Sequence, residues 1–144
     1  MPSLRVGTLS LVVVLAACPA AFARSVQYNG PAGPGVHAGI EFGTTQARGK
    51  RRIVRRFEFH NIPAQCTGSG ATAVNDLLTI TMKVARDRSF SGSQTLNGGR
   101  EKVKVTGRFA VGFGKASGTL HVSGTVAGCS SADTGTVKWK APVV

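Results

Sequence analysis

Thr119-Leu120-His121-Val122-Ser123-Gly124-Thr125-Val126 alternates polar and apolar residues, with Gly124 filling one inward position. A period of two places successive side chains on opposite faces of an extended chain, so this segment reads as a strand with one dry and one wet face. The same rhythm recurs. Leu78, Ile80, Met82 and Val84 alternate with Thr79, Thr81, Lys83 and Ala85. Val137, Trp139 and Ala141 alternate with Thr136, Lys138 and Lys140, and Phe57 and Phe59 with Arg56, Glu58 and His60. Strands of this kind belong to antiparallel sheets. No helical stripe stands out after residue 23, and Ala71 to Leu78 has room for one helical turn at most.

Turn residues punctuate these runs at Asn29-Gly30-Pro31, Gly33-Pro34-Gly35, Thr67-Gly68-Ser69-Gly70, Asn97-Gly98-Gly99 and Gly114-Lys115-Ala116-Ser117-Gly118. Asn-Gly and Gly-rich pairs tolerate the positive φ that tight hairpins require. The pattern predicts an all-β fold, an antiparallel β-sandwich or jelly roll of about eight or nine short strands with one disulfide. The strands are placed at roughly 25–29, 36–43, 51–60, 77–86, 88–91, 101–106, 108–113, 118–127 and 135–141. The predicted core is Tyr28, Ile40, Phe42, Ile53, Phe57, Phe59, Leu78, Ile80, Met82, Val84, Val103, Val105, Phe109, Val111, Leu120, Val122, Val126, Val137 and Trp139. Arg55 shares the parity of Ile53 and Phe57. It either snorkels at a sheet edge or lies beside a bulge, and the apolar Val54 on the other parity points the same way.

The first 23 residues bear on the compartment. Arg5 precedes an apolar run from Leu9 to Ala17, and Ala21-Phe22-Ala23 has the small-x-small form of a signal-peptidase site. This reads as a signal peptide over 1–23, followed by a single all-β domain over 24–144. The apolar run is too short for a stable membrane span, and no transmembrane segment follows. Leu15-Ala16-Ala17-Cys18 also has the form of a lipobox, which would make the protein lipid-anchored through Cys18. Pro19 after the Cys and the cleavage site at Ala23 favour the free, secreted form.

The chain has three cysteines, and cleavage after Ala23 would remove Cys18. An even pair, Cys66 and Cys129, then remains in an oxidising compartment, which predicts a disulfide. It would close a loop of about 60 residues and add about 4 kcal/mol in the chain-entropy model. Two free thiols or a metal pair are the alternatives. Neither Cys has a His or a second Cys at metal-ligand spacing.

The chain is strongly basic, with 18 Lys and Arg against 6 Asp and Glu and a net charge of +12. Such a charge favours anionic partners and says nothing of fold. Its densest feature is Arg48-Gly49-Lys50-Arg51-Arg52-Ile53-Val54-Arg55-Arg56. Arg48, Lys50, Arg51, Arg52, Arg55 and Arg56 are therefore the candidate ligand-binding residues, for an anionic envelope polymer or polysaccharide. The plainer reading is a charged hairpin arm that keeps a sheet edge soluble. Specific nucleic-acid binding is disfavoured by export and by Phe57 and Phe59 facing away from Arg56.

Other constellations are sparse. His37, His60 and His121 are isolated, and although His60 and His121 share outward parities, a metal site wants a third ligand. Glu41 and Glu58 lie on outward parities of strands that could be neighbours, the one arrangement suggesting a glycosidase pair. The chain contains no nucleophile elbow, Walker loop or dinucleotide fingerprint, so no cofactor is implied. The reading that results is a non-enzymatic secreted or cell-envelope module binding an anionic surface polymer or a protein. A glycan-acting hydrolase is the enzymatic alternative.

Gly107-Arg108-Phe109, Lys115-Ala116-Ser117-Gly118-Thr119-Leu120, Cys129 and Thr134-Gly135-Thr136-Val137-Lys138-Trp139-Lys140-Ala141 follow one another in an order that resembles a group of small, uncharacterised exported bacterial proteins. Tyr28, Gly30 and Cys66 fit the same pattern. The resemblance implies a signal peptide, an all-β domain and paired cysteines, and carries no catalytic residues. Between Phe90 and Arg108 the chain departs from it with a basic, insert-like stretch.

Overall fold

A computed structural model describes residues 23–68, 70–126 and 128–144. The readings of 1–22, including the leader and Cys18, lie outside the described residues. The described residues form ten strands, β1 (Arg24–Pro31), β2 (Gly39–Gln46), β3 (Ile53–Cys66), β4 (Gly70–Leu78), β5 (Met82–Lys83), β6 (Ser89–Leu96), β7 (Glu101–Phe109), β8 (Lys115–Val126), β9 (Cys129–Asp133) and β10 (Val137–Pro142). Two short 3-10 turns, Asn97–Gly99 and Val111–Phe113, join β6 to β7 and β7 to β8. Every pairing is antiparallel.

The sheet runs β1-β2-β3-β9-β8-β7-β6, with β4 and β5 on β3 and β10 on β8. It also returns to its start. Tyr28 bridges to Val143 and Ala32 to Trp139, so β10 lies against β1. The resulting sandwich has β1 to β5 on one side and β6, β7, β8 and β10 on the other. Rings meet between the layers: Phe42 of β2 stacks on Tyr28 at 4.9 Å and on Phe57 at 5.4 Å, and meets the Trp139 edge at 5.7 Å. Phe109 and Phe90 close the cluster at 5.2 Å from each other. Such aromatic pairs add to the stabilisation from burying their area.

The predicted core is buried at all but three positions. Val111 is 83% exposed, because it sits in the turn after β7, not in a strand of its own. Ile53 and Ile80 are half-buried. At Ile53 the cause is a bulge. Two residues of β3 oppose one of β2 between Glu41 and Gly43, and Arg56 takes φ 51°. Arg55 and Arg56 therefore both face out, and Val54 takes the inward place that the parity of Phe57 had assigned to Ile53. A second bulge at His60 and Asn61 flips the parity again, so Ile62, Ala64 and Cys66 also point inward.

Other differences have equally local reasons. Residues 71–78 form β4, not a helical turn; they pair with β3 from Phe57 to Cys66. The run 77–86 is broken at Thr79, so only Met82 and Lys83 form β5. The expected strands 101–106 and 108–113 are one strand, β7, with Gly107 accommodated against the Phe90 ring. The basic stretch from Phe90 to Arg108 is the β6–β7 hairpin, turned by Asn97, Gly98 and Gly99 at positive φ. Cys66 and Cys129 are bonded, with Cα atoms 5.8 Å apart. They join the end of β3 to the start of β9, a short strand that links the two layers at one end.

Candidate functional site

The six cations of the basic run separate into three environments. Arg48, Lys50 and Arg51 are exposed in the turn between β2 and β3. Arg52 is half-buried and turns toward the core. Its guanidinium lies 4.2 Å from the centre of the Phe113 ring, and Nη1 donates to Thr44 Oγ1 at 3.3 Å. The Tyr28 hydroxyl donates to the Phe113 carbonyl at 2.7 Å beside it. Burial pushes the Tyr28 hydroxyl pKa up, and the Arg52 charge opposes that rise. Arg55 and Arg56 stand apart, carried outward by the bulge onto the outer face of β2 and β3.

There they border a depression of about 380 Å³ that also holds Glu41 and Glu58. Glu41 stands directly opposite Glu58 across the β2–β3 ladder. Directly paired positions place Cβ atoms about 5 Å apart, close enough for two carboxylates to act on one bond. The remaining lining is Ser25, Gln27, Gly43, Thr44 and Thr45, with no aromatic side chain. A sugar platform is thus missing from the walls.

Sequence distance hid the larger feature. The turn after β2 does not stand alone at its end of the sandwich. Arg24 pairs with Gln46. Val84 N donates to the Arg52 carbonyl, bringing in the β5–β6 turn with Arg86 and Arg88. Phe109 N donates to the Arg88 carbonyl and Ala110 N to the Lys115 carbonyl, bringing in the turn after β7. Arg24, Arg48, Lys50, Arg51, Arg52, Arg86, Arg88 and Lys115 therefore meet at one end. Among the described side chains of these segments, Asp87 is the one acid. It is held by Ser89, whose backbone N–H and hydroxyl both donate to it, and pairs with Arg108 at 3.0 Å. Those hydrogen bonds hold the Asp87 carboxyl below the usual carboxylate range.

The opposite end mixes acids with cations. Asp76 lies near Glu101, which Arg100 and Lys102 flank in the chain, and Asp133 pairs with His121. Glu101 is 1% exposed, and Asn97 Nδ2 donates to its Oε2 at 2.6 Å. Desolvation, reinforced by the Asp76 charge, pushes its carboxyl pKa up. Asp133 is held low by the Gly135 N–H and by His121, 2.9 Å away. His121 is thereby occupied, His60 packs under Gly39, and no cluster of three or more metal-ligating side chains occurs among the described residues.

Further cations run along the outer face of β7 and β10, from Lys102 beside Glu101 to Arg108 near the basic end. Lys102, Lys104 and Arg108 point out from β7, and Lys138 and Lys140 from β10. Their partners are small and polar: Lys104 faces His121, Lys138 faces Thr119, and both Arg108 and Lys140 face Ser117. The signal was present in the sequence as the outward partners of Val103, Val105, Val137 and Trp139.

No helix among the described residues is long and apolar enough to cross a membrane. Comparison with known proteins finds no matching family model, no matching curated protein and no matching solved structure.

Proposed function

We propose that this protein is an exported, non-enzymatic module that docks on an anionic polymer of the cell envelope through its basic end. The observation that carries the reading is the convergence of the β2–β3, β5–β6 and β7–β8 turns with the start of β1, which gathers cations from residues 24 to 115 around a single acid. A solvated charge run would need no such gathering. Mutual repulsion among unpaired cations costs stability, and a polyanion relieves it while steering its own approach. The disulfide fits an oxidising compartment.

The test is a titration with soluble inorganic polyphosphate at several salt concentrations. Each cation that contacts the polymer contributes to the slope of log K against log salt, roughly 0.7 to 0.9 per contact on nucleic acids. Replacing Arg48, Lys50 and Arg51 by Ser is expected to reduce that slope by about 2. A slope unchanged by the three substitutions overturns the reading.

A further inference from the structure

Beside the basic end, the outer face of β7, β8 and β10 has a depression of about 430 Å³. Its shape follows from register. Arg108, Ser117 and Lys140 form one outward row across the three strands. Ala110, Lys115 and Pro142 form the next row, nearer the turn. Small side chains at Ser117 and Ala110 leave a hollow between long ones. Arg88 closes a wall, fixed by its Nε donating to the Phe109 carbonyl at 3.2 Å. The alkyl stems of Lys115, Lys140 and Arg108, with Ala110 and Pro142, line the hollow with carbon, while their charged heads stand at the rim. Of these cations only Arg108 has an acid partner among the described residues, Asp87.

We propose that this pocket binds an anionic amphiphile, its apolar tail in the hollow and its phosphate or carboxylate head against Lys115, Lys140 and Arg88. The volume is that of a small-molecule site. A simple anion would be served by the open cations of the β2–β3 turn and needs no carbon-lined hollow. A neutral apolar molecule would leave the rim charges uncompensated. Val111, next to Ala110 in the chain and 83% exposed on the turn after β7, offers a further apolar contact. The inference deepens the docking reading, by making the anionic partner one that carries a hydrocarbon group.

Isothermal titration with monomeric octyl phosphate tests it, with inorganic phosphate and the neutral octyl glucoside as comparisons. Octyl phosphate is expected to bind at least about tenfold tighter than either. Ala110→Trp, at a backbone position any residue can adopt, is expected to abolish that binding by filling the hollow. Lys115→Ser with Lys140→Ser is expected to weaken octyl phosphate without creating affinity for octyl glucoside. Thermal melts of each variant establish that it is folded. Vesicles of phosphatidylglycerol with phosphatidylcholine separate the sources. Co-sedimentation lost in Val111→Ser assigns a membrane-held lipid, and octyl phosphate binding without co-sedimentation assigns a free amphiphile. Octyl phosphate binding no tighter than inorganic phosphate, or binding indifferent to Ala110→Trp, overturns the inference. The polyphosphate slope would survive that result, so the two readings fail separately.

Discussion

The Arg52 guanidinium lies over the Phe113 ring at 4.2 Å, joining the turn after β2 to the turn after β7. Arg52 is thus the member of the basic run that builds the end of the sandwich, while its neighbours present charge. Replacing Arg52 by Ala removes the cation–π contact and the Thr44 hydrogen bond, and should cost about 1–2 kcal/mol in urea unfolding. Arg48→Ala, at an exposed position, should stay within about 0.5 kcal/mol. Equal effects would contradict the division.

Closure of the sheet between β1 and β10 rests on Gly30. A Cβ there would collide with the Lys140 carbonyl oxygen. Gly30→Ala is expected to destabilise by more than about 2 kcal/mol. Gly49→Ala, whose φ of 70° meets open space, should cost only about 1 kcal/mol. Denaturant midpoints of the two variants distinguish a steric closure from a conformational preference.

The Cys66–Cys129 bond ties β3 to β9, which also pair directly in the sheet. Replacing both residues by Ala should lower stability by about 2–4 kcal/mol. The same shift should appear when the wild type is unfolded under reducing conditions, and no shift would show that the β3–β9 pairing holds without it.

Stability should depend on pH through Glu101. Its folded pKa is raised by burial and by Asp76, so the native state holds a proton that the unfolded chain releases near pH 4. That contribution is fully present below the unfolded pKa and is lost as pH rises through the folded one. Asp133 works in the opposite sense: its depressed pKa gives stability above the unfolded value that is lost as pH falls. Glu101→Gln should abolish the decline between pH 4 and neutrality, and raise stability at pH 7. Urea melts across that range check both statements, and a variant with the wild-type profile would refute the assignment.

Alternation alone made β8, β10 and the aromatic core readable, because each strand keeps one face dry. It failed in part where β3 bulges, since an extra residue inverts the parity on its far side: Arg55 and Val54 had marked a bulge there, yet Ile53 was placed in the core in place of Val54, and Ile62 was passed over. β4 and β9 were missed because Ala, Thr, Ser and Asn on a short strand carry little hydrophobic contrast. The basic run was legible as a run. Its union with Arg86, Arg88 and Lys115 was not, because pairing of distant strands creates it. The opposition of Glu41 and Glu58 was anticipated from parity, and the register places them side by side.

The most direct test of the docking account separates position from total charge. One variant replaces Arg48, Lys50 and Arg51 by Ser at the basic end, and a second replaces Lys102, Lys104 and Lys138 by Ser on the outer face of β7 and β10. Both lose the same charge, and all six residues are exposed. Elution from an immobilised sulfated polysaccharide along a salt gradient compares them. The account predicts a markedly earlier elution for the end variant and near wild-type retention for the face variant. Equal shifts in the two would show that retention follows net charge alone and would contradict a docking end.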